Sequence, residues 1–116
     1  MSNNMVQDIH DMHTKYGVRE WVSQKLNEGD RESLQTFLDF RMDFIEEEFN
    51  ETLAAVHNRD AEEVVDGLID IIVVALGTLD AFGVDAQKAW DEVHNANMAK
   101  EVGVKPERPN PLGLPD

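Results

Sequence analysis

Residues 61–82, AEEVVDGLIDIIVVALGTLDAF, place apolar side chains on nearly every side of one continuous segment. The inner part, GLIDIIVVAL, is rich in β-branched residues and by itself fits a buried strand. The pattern nevertheless continues for roughly twenty residues with no turn signal, and helical patterns flank it closely, so length selects a helix. A helix that is apolar all round must be covered on most sides. A chain of 116 residues is one domain with a modest core. Four helices of that size can hardly enclose the segment, so the fold expected is an oligomeric all-α bundle of four to five helices. The longest apolar run, IIVVALGTL, is too short to span a bilayer.

The remaining elements follow from punctuation and period. Val6, Ile9, Met12 and Tyr16 recur at helical spacing, with Gly17 placed to end the helix. Residues 18–29 are less periodic, and Trp21, Val22 and Leu26 predict no more than a short turn of helix. Asp30 or Ser33 opens the next helix, which runs without Gly or Pro to about His57. Asp60 caps the apolar segment and Gly83 stops it. Asp85 caps a last helix through AQKAWDEVHNANMAKE. These helices define a domain over residues 1–103. Residues 104–116 carry four prolines without periodicity and read as an extended tail.

Composition narrows the partners. Net charge is −14, with no cysteine, so there is no disulfide framework and no thiolate metal site. A strongly acidic chain disfavours nucleic acid and anionic membrane and favours cations. The first residues show no basic segment followed by an apolar one, so no signal peptide is read there.

The acid is not evenly spread. In the second long pattern, Leu34, Leu38, Met42, Ile45, Phe49, Leu53 and Val56 share one stripe, which reads as the core face. Beside it runs a stripe that begins Phe37, Phe40, Phe44, continues Glu47, Glu48, Glu51 and ends at Ala55, with Arg41 between the two. Like charges three and four apart destabilise a helix by roughly 0.2–0.5 kcal/mol per pair, and a bound cation reverses that sign. On the apolar segment Glu63, Asp66 and Asp70 share a face. Gly67 and Gly77 would let a neighbouring helix approach. Two antiparallel helices with three carboxylates apiece make an all-oxygen donor set suited to Mg²⁺ or Mn²⁺. His10, His13, His57 and His94 show no shared ligand pattern. Simpler roles stay open: Glu46 as plain surface, Glu63 as a capping-box residue, Asp70 as an ion-pair partner of Arg41 or Lys100. In the last helix Ala86, Trp90 and Val93 form an inward stripe that Asn97 and Lys100 continue, suggesting phosphate or sugar contacts; Lys100 alternatively caps the helix C-terminus.

The strings EEFNE (Glu47, Glu48, Glu51) and EVVD (Glu63, Asp66) resemble the EExxE…ExxD signature of the all-α nucleotide pyrophosphohydrolases. That superfamily includes MazG-like enzymes, dimeric dUTPases and phosphoribosyl-ATP pyrophosphohydrolases. With the terminal NxNMxK, residues 37–101 are similar to the compact MazG-like branch common in bacteria and their phages. The resemblance implies Mg²⁺ ligands at Glu48, Glu51, Glu63 and Asp66, with Asp70 outside the short motif. It puts Glu47 on the metal or its attacking water, so Glu47 or Glu48 takes the proton. It also implies cleavage of nucleoside triphosphates, (d)NTP, between the α and β phosphates, a homodimer or homotetramer, and a bacterial or phage-infected cytoplasm. Residues before Phe37 carry none of this resemblance and are expected to shape the base pocket.

A triphosphate carries about four negative charges, so on a −14 chain the metal has to mediate its binding. Arg41, Asn97 and Lys100 are the groups expected to complete substrate binding. Two other readings remain: a dUTP-specific or phosphoribosyl-ATP hydrolase of the same fold, and a non-enzymatic acidic cation-binding protein or DNA mimic. A mimic spreads its acid over exposed faces, whereas here the carboxylates gather on inward stripes.

Overall fold

The computed structural model describes residues 4–115, so residues 1–3 of the expected domain and Asp116 of the expected tail lie outside the described residues. Among the described residues there are five helices and no strand: α1 (Met5–Tyr16), α2 (Val18–Glu28), α3 (Arg31–His57), α4 (Ala61–Ala81) and α5 (Ala86–Ala99). The chain divides into two compact units, one running to Ala86 and one from Gln87 onward.

In the first unit, short polar side chains set the helix starts. Asn4 accepts from the amides of Val6 and Gln7 to open α1. Asp30, not Ser33, opens α3: it accepts from the Ser33 amide at 3.0 Å and hydroxyl at 2.7 Å. Those two bonds hold the Asp30 carboxyl below the ordinary range. Asp60 accepts from Glu63 N to open α4. The Asp60 amide itself bonds Ala55 O, so Glu63 closes no capping box.

The second helix is longer than its weak periodicity predicts. Gly17, at φ 74, ends α1 and at once serves as the N-cap of α2. The restart is held by tertiary contacts: Val22 is fully buried, and the Trp21 ring meets Phe37 at 5.6 Å. On α1 the buried pair is Ile9 and His13, while Tyr16 of the expected stripe is exposed.

α3 and α4 form an antiparallel pair at the centre of this unit. Phe37 meets Phe82 at one end, Arg41 reaches Val74 and Thr78 further along, and Thr52 packs on Gly67. A Cβ on Gly67 would overlap the Thr52 hydroxyl, and one on Gly77 would run into Arg41 and His13. Both glycines therefore permit the close approach expected of them.

That approach changes which face of α3 is inward. Thr52 and Ala55 are buried, with Phe37, Arg41, Phe44 and Glu48 half-buried along the same side. The expected core stripe is instead largely open within the chain: Met42, Phe49, Leu53 and Val56 are all exposed. The physical reason is fit, because a helix bearing Gly67 and Gly77 packs closest against small residues rather than bulky ones. Val65, Leu68, Ile69 and Ile72 of α4 are exposed as well. No single helix among the described residues is long and apolar enough to cross a membrane.

In the second unit, α5 ends at Ala99, and the tail is not simply extended. It makes two turns, with Arg108 N bonded to Lys105 O and Gly113 N to Asn110 O. Pro106 and Pro111 stand at their second positions, where a fixed φ suits a turn. Asn110 braces the second turn by accepting from Leu112 N and donating to Leu114 O.

Candidate active site

The closest approach of α3 and α4, Thr52 on Gly67, lies next in sequence to Glu51 and Asp66. The two carboxylate sets are thereby held opposite each other by backbone packing. Glu48 is half-buried on the inward side, one turn before Thr52, whose hydroxyl donates to the Glu48 carbonyl. Its carboxyl titrates above the ordinary glutamate value. Loss of hydration is the largest cause, followed by the charges of Glu51, Asp70, Glu47 and Asp66.

Four of the other five sequence-predicted carboxylates thus act on Glu48: Asp66 and Asp70 from the facing helix, Glu47 and Glu51 from its own. Asp70 is half-buried, while Glu47, Glu51, Glu63 and Asp66 are exposed. Glu63, one turn before Asp66, is not among the groups that act on Glu48. No ion pair among the described residues offsets this set. The ion pairs at Asp80 and at Lys25 lie elsewhere. Nor does any group of three or more His, Asp or Glu side chains among the described residues already stand in metal-holding geometry.

Arg41 is held against α4 rather than paired with Asp70. Its Nε donates to Thr78 Oγ1 at 3.0 Å and its Nη2 to Val74 O at 2.9 Å, and the guanidinium lies 5.9 Å from the Phe44 ring. Burial lowers its pKa from the ordinary arginine value. In this position Arg41 is a strut between α3 and α4.

The sequence reading missed a second charged cluster in this unit. The Asp80 carboxylate, mostly buried, faces His10 Nδ1 at 3.1 Å, His13 Nδ1 at 3.5 Å and Arg19 Nε at 3.9 Å. His13 is buried, and its pKa is lowered by burial first and by Arg41 next, against the opposing pull of Asp80. His10 and His13 do share a partner, then. It lies on α4, some seventy residues away, where local spacing gives no sign of it.

In the second unit, Lys100 Nζ donates to Asn97 Oδ1 at 3.2 Å, so two expected substrate-binding residues are neighbours at the end of α5. Both are exposed.

A family model described as phosphoribosyl-ATP pyrophosphohydrolase matches residues 17–97. The matched stretch runs from Gly17 through α2, α3 and α4 into α5, and holds all six carboxylates and Asn97. It also reaches back well before Phe37, so α2 is part of the shared domain. Lys100 and the tail lie beyond it. No curated protein and no solved structure matches the chain.

Proposed function

Because the chain belongs to the phosphoribosyl-ATP pyrophosphohydrolase family, we propose that it hydrolyses nucleoside triphosphates between the α and β phosphates, with Mg²⁺, to a monophosphate and pyrophosphate. At the coarser level it is a nucleotide pyrophosphohydrolase, a hydrolase acting on acid anhydrides. The observation that carries the finer reading is the uncompensated carboxylate set on facing helices, where loss of hydration and then the neighbouring acids raise the Glu48 pKa.

The donor set fits a hard divalent cation, since every donor is a carboxylate oxygen and no cationic side chain neutralises it. Glu48, Glu51, Glu63 and Asp66 would hold Mg²⁺, with Asp70 behind them and Mn²⁺ able to substitute. Bound there, the ion supplies charge neutralisation of phosphate oxygens and acidification of a water. Long, exposed glutamate side chains reach a common ion by rotamer change, while the fixed Thr52–Gly67 contact keeps their backbones in place. Glu47 or Glu48 takes the proton of the attacking water. Asn97 and Lys100 are assigned to phosphate or sugar oxygens.

The exposed apolar residues of α3 and α4 favour a homodimer or homotetramer, since bulky side chains such as Phe49, Leu53, Leu68 and Ile69 stand uncovered within one chain. Light scattering tests this directly: a well-folded monomer at micromolar concentration rules it out. The charge of −14 argues against nucleic acid and anionic membrane as partners.

A second reading has its own support. The description of the matched model names phosphoribosyl-ATP, which presents the same type of phosphoanhydride. One panel separates the two: canonical and modified (d)NTPs, dUTP and phosphoribosyl-ATP, each with Mg²⁺, scored for pyrophosphate and orthophosphate. Pyrophosphate with a monophosphate supports the proposal. Exclusive turnover of phosphoribosyl-ATP selects the second reading, and orthophosphate with a diphosphate as sole products overturns both.

A further inference from the structure

The α3 stripe that carries the acids begins in aromatic residues. Glu47 stands about two turns, or about 10 Å, beyond Phe40 on the same side of the helix, and Glu48 about three turns beyond Phe37. Phe37 and Phe40 line a cleft of about 420 Å³ together with Trp21 of α2 and with Asp30, Glu32, Ser33 and Thr36 at the start of α3. The cleft and the carboxylate set therefore lie along one face of one helix, at a separation that a ribose and its first phosphates bridge. Two of the rings are open to a ligand: Phe40 is 61% exposed and Trp21 39%, whereas Phe37 is half-buried between Trp21 and Phe82.

The polar atoms of the cleft have a definite sense. The Ser33 hydroxyl donates to Asp30 Oδ2 at 2.7 Å, and the Thr36 hydroxyl donates to Glu32 O at 3.0 Å. A hydroxyl whose one proton is spent has only lone pairs left to offer. Asp30 and Glu32 as carboxylates accept only, and Glu32 is exposed. Lys25, 5.7 Å from the Trp21 ring, is engaged by Glu28 at 3.4 Å and Asp30 at 3.9 Å. Apart from the Trp21 indole N–H, the side chains lining the cleft therefore present acceptors, and a ligand has to bring the donors.

We propose that this cleft is the base subsite and selects a base with an exocyclic amino group beside an unprotonated ring nitrogen, adenine or cytosine. The flat ring stacks on Trp21 and Phe40, which is tolerant of base identity. Selection comes from the acceptors, because an amino group donates to a carboxylate. Hypoxanthine and uracil put a carbonyl oxygen where adenine and cytosine carry that amino group, and set against Glu32 it meets a like partial charge. Glu32 is thus assigned as the specificity-determining residue, and Trp21 and Phe40 as the stacking residues. That the base belongs to a substrate rests on the hydrolytic reading above; the base subsite itself does not.

Nucleosides without phosphate test the subsite apart from metal and hydrolysis. In the full chain carrying Trp90→Phe, Trp21 gives the one indole N–H signal, which NMR follows during titration in excess EDTA. The probes are two pairs that differ at the amino position: adenosine against inosine, and cytidine against uridine. The signal should shift with adenosine and cytidine at affinities roughly tenfold above those of inosine and uridine. Glu32→Gln, which can donate as well as accept, should reduce both ratios by about threefold or more. Phe40→Leu should weaken binding of adenosine and cytidine by about fivefold or more while leaving the ratios unchanged. Both substituted side chains are exposed, so the fold is expected to survive, and a thermal melt checks it. No shift with any nucleoside overturns the subsite, and equal affinities within each pair, or ratios unmoved by Glu32→Gln, overturn the selection. A wild type that binds adenosine selectively but releases no pyrophosphate from triphosphates overturns only the hydrolytic reading.

Discussion

The two ends of the α3–α4 pair treat acid in opposite ways. Toward the Phe37–Phe82 end, Asp80 is mostly buried and faces His10, His13 and Arg19, while Arg41 is spent on Thr78 and the Val74 carbonyl. Toward the Thr52–Gly67 end, Glu48 meets only other acids. Both ends rely on a glycine to bring the helices close, Gly77 at the first and Gly67 at the second. The backbone device is therefore shared, and the difference lies in the counter-charges. At the first end the protein supplies them, and the cluster ties α1, α2 and α4 together. At the second none is supplied, which is the ground for proposing that a cation from solution binds there. A paired carboxylate serves stability, whereas an unpaired set of like charges costs it.

Substitutions in the unpaired set should separate activity from stability most sharply. Glu51→Gln and Asp66→Asn are each expected to lower turnover at saturating Mg²⁺ by at least about a hundredfold, because each removes a proposed metal ligand. Metal-free melting temperature should hold or rise, since one repelling charge is gone. Wild-type turnover in either variant would break the comparison at its functional end.

Asp80→Ala should do the reverse. It leaves His10, His13 and Arg19 facing a void with no counter-charge, at a cost of about 2–3 kcal/mol. That figure is discounted from the fully buried case because His10 and Arg19 are partly exposed. Denaturant unfolding measures it, with Km for nucleotide expected to stay unchanged in the fraction that is folded.

Gly67→Ala probes the shared device at the acidic end. The new methyl overlaps the hydroxyl of buried Thr52, so the helices must part, at about 1–2 kcal/mol after the better helix propensity of alanine is counted. Adding Thr52→Ala should recover most of the stability. If Gly67→Ala alone proves as stable as wild type, the close approach is not what holds the carboxylates opposite one another.

The smallest effect is also the most diagnostic of sign. A folded-state pKa raised above the unfolded one gives stability that is complete below the ordinary glutamate value and lost as pH rises through the raised value. Metal-free wild type should therefore lose stability across that window through Glu48. Glu48→Gln should flatten the slope and melt higher at neutral pH, and Mg²⁺ should stabilise wild type more than the variant. Thermal melts from pH 4 to 7.5, with and without metal, read all three.

Much of this was legible in the sequence, for reasons of local chemistry. Gly17, Asp60 and Gly83 mark their helix ends because capping and positive φ are decided within a few residues. Glu47, Glu48, Glu51, Asp66 and Asp70 stood out because helical period puts them on shared stripes wherever the helix goes. The all-α class followed from the length of the apolar segment. Other features needed the tertiary structure. A helix stripe shows that residues face one way without saying toward what, and so Met42, Phe49, Leu53 and Val56 read as core when α4 in fact selects the neighbouring face of Thr52 and Ala55. α2 is completed by Val22 and Trp21 packing on partners that its own period does not reveal. The meeting of His10 and His13 with Asp80 depends on a packing arrangement spanning seventy residues, which no local spacing encodes. Local rules fixed where helices begin, end and carry charge, and only the close approach at Gly67 and Gly77 decided which charges meet.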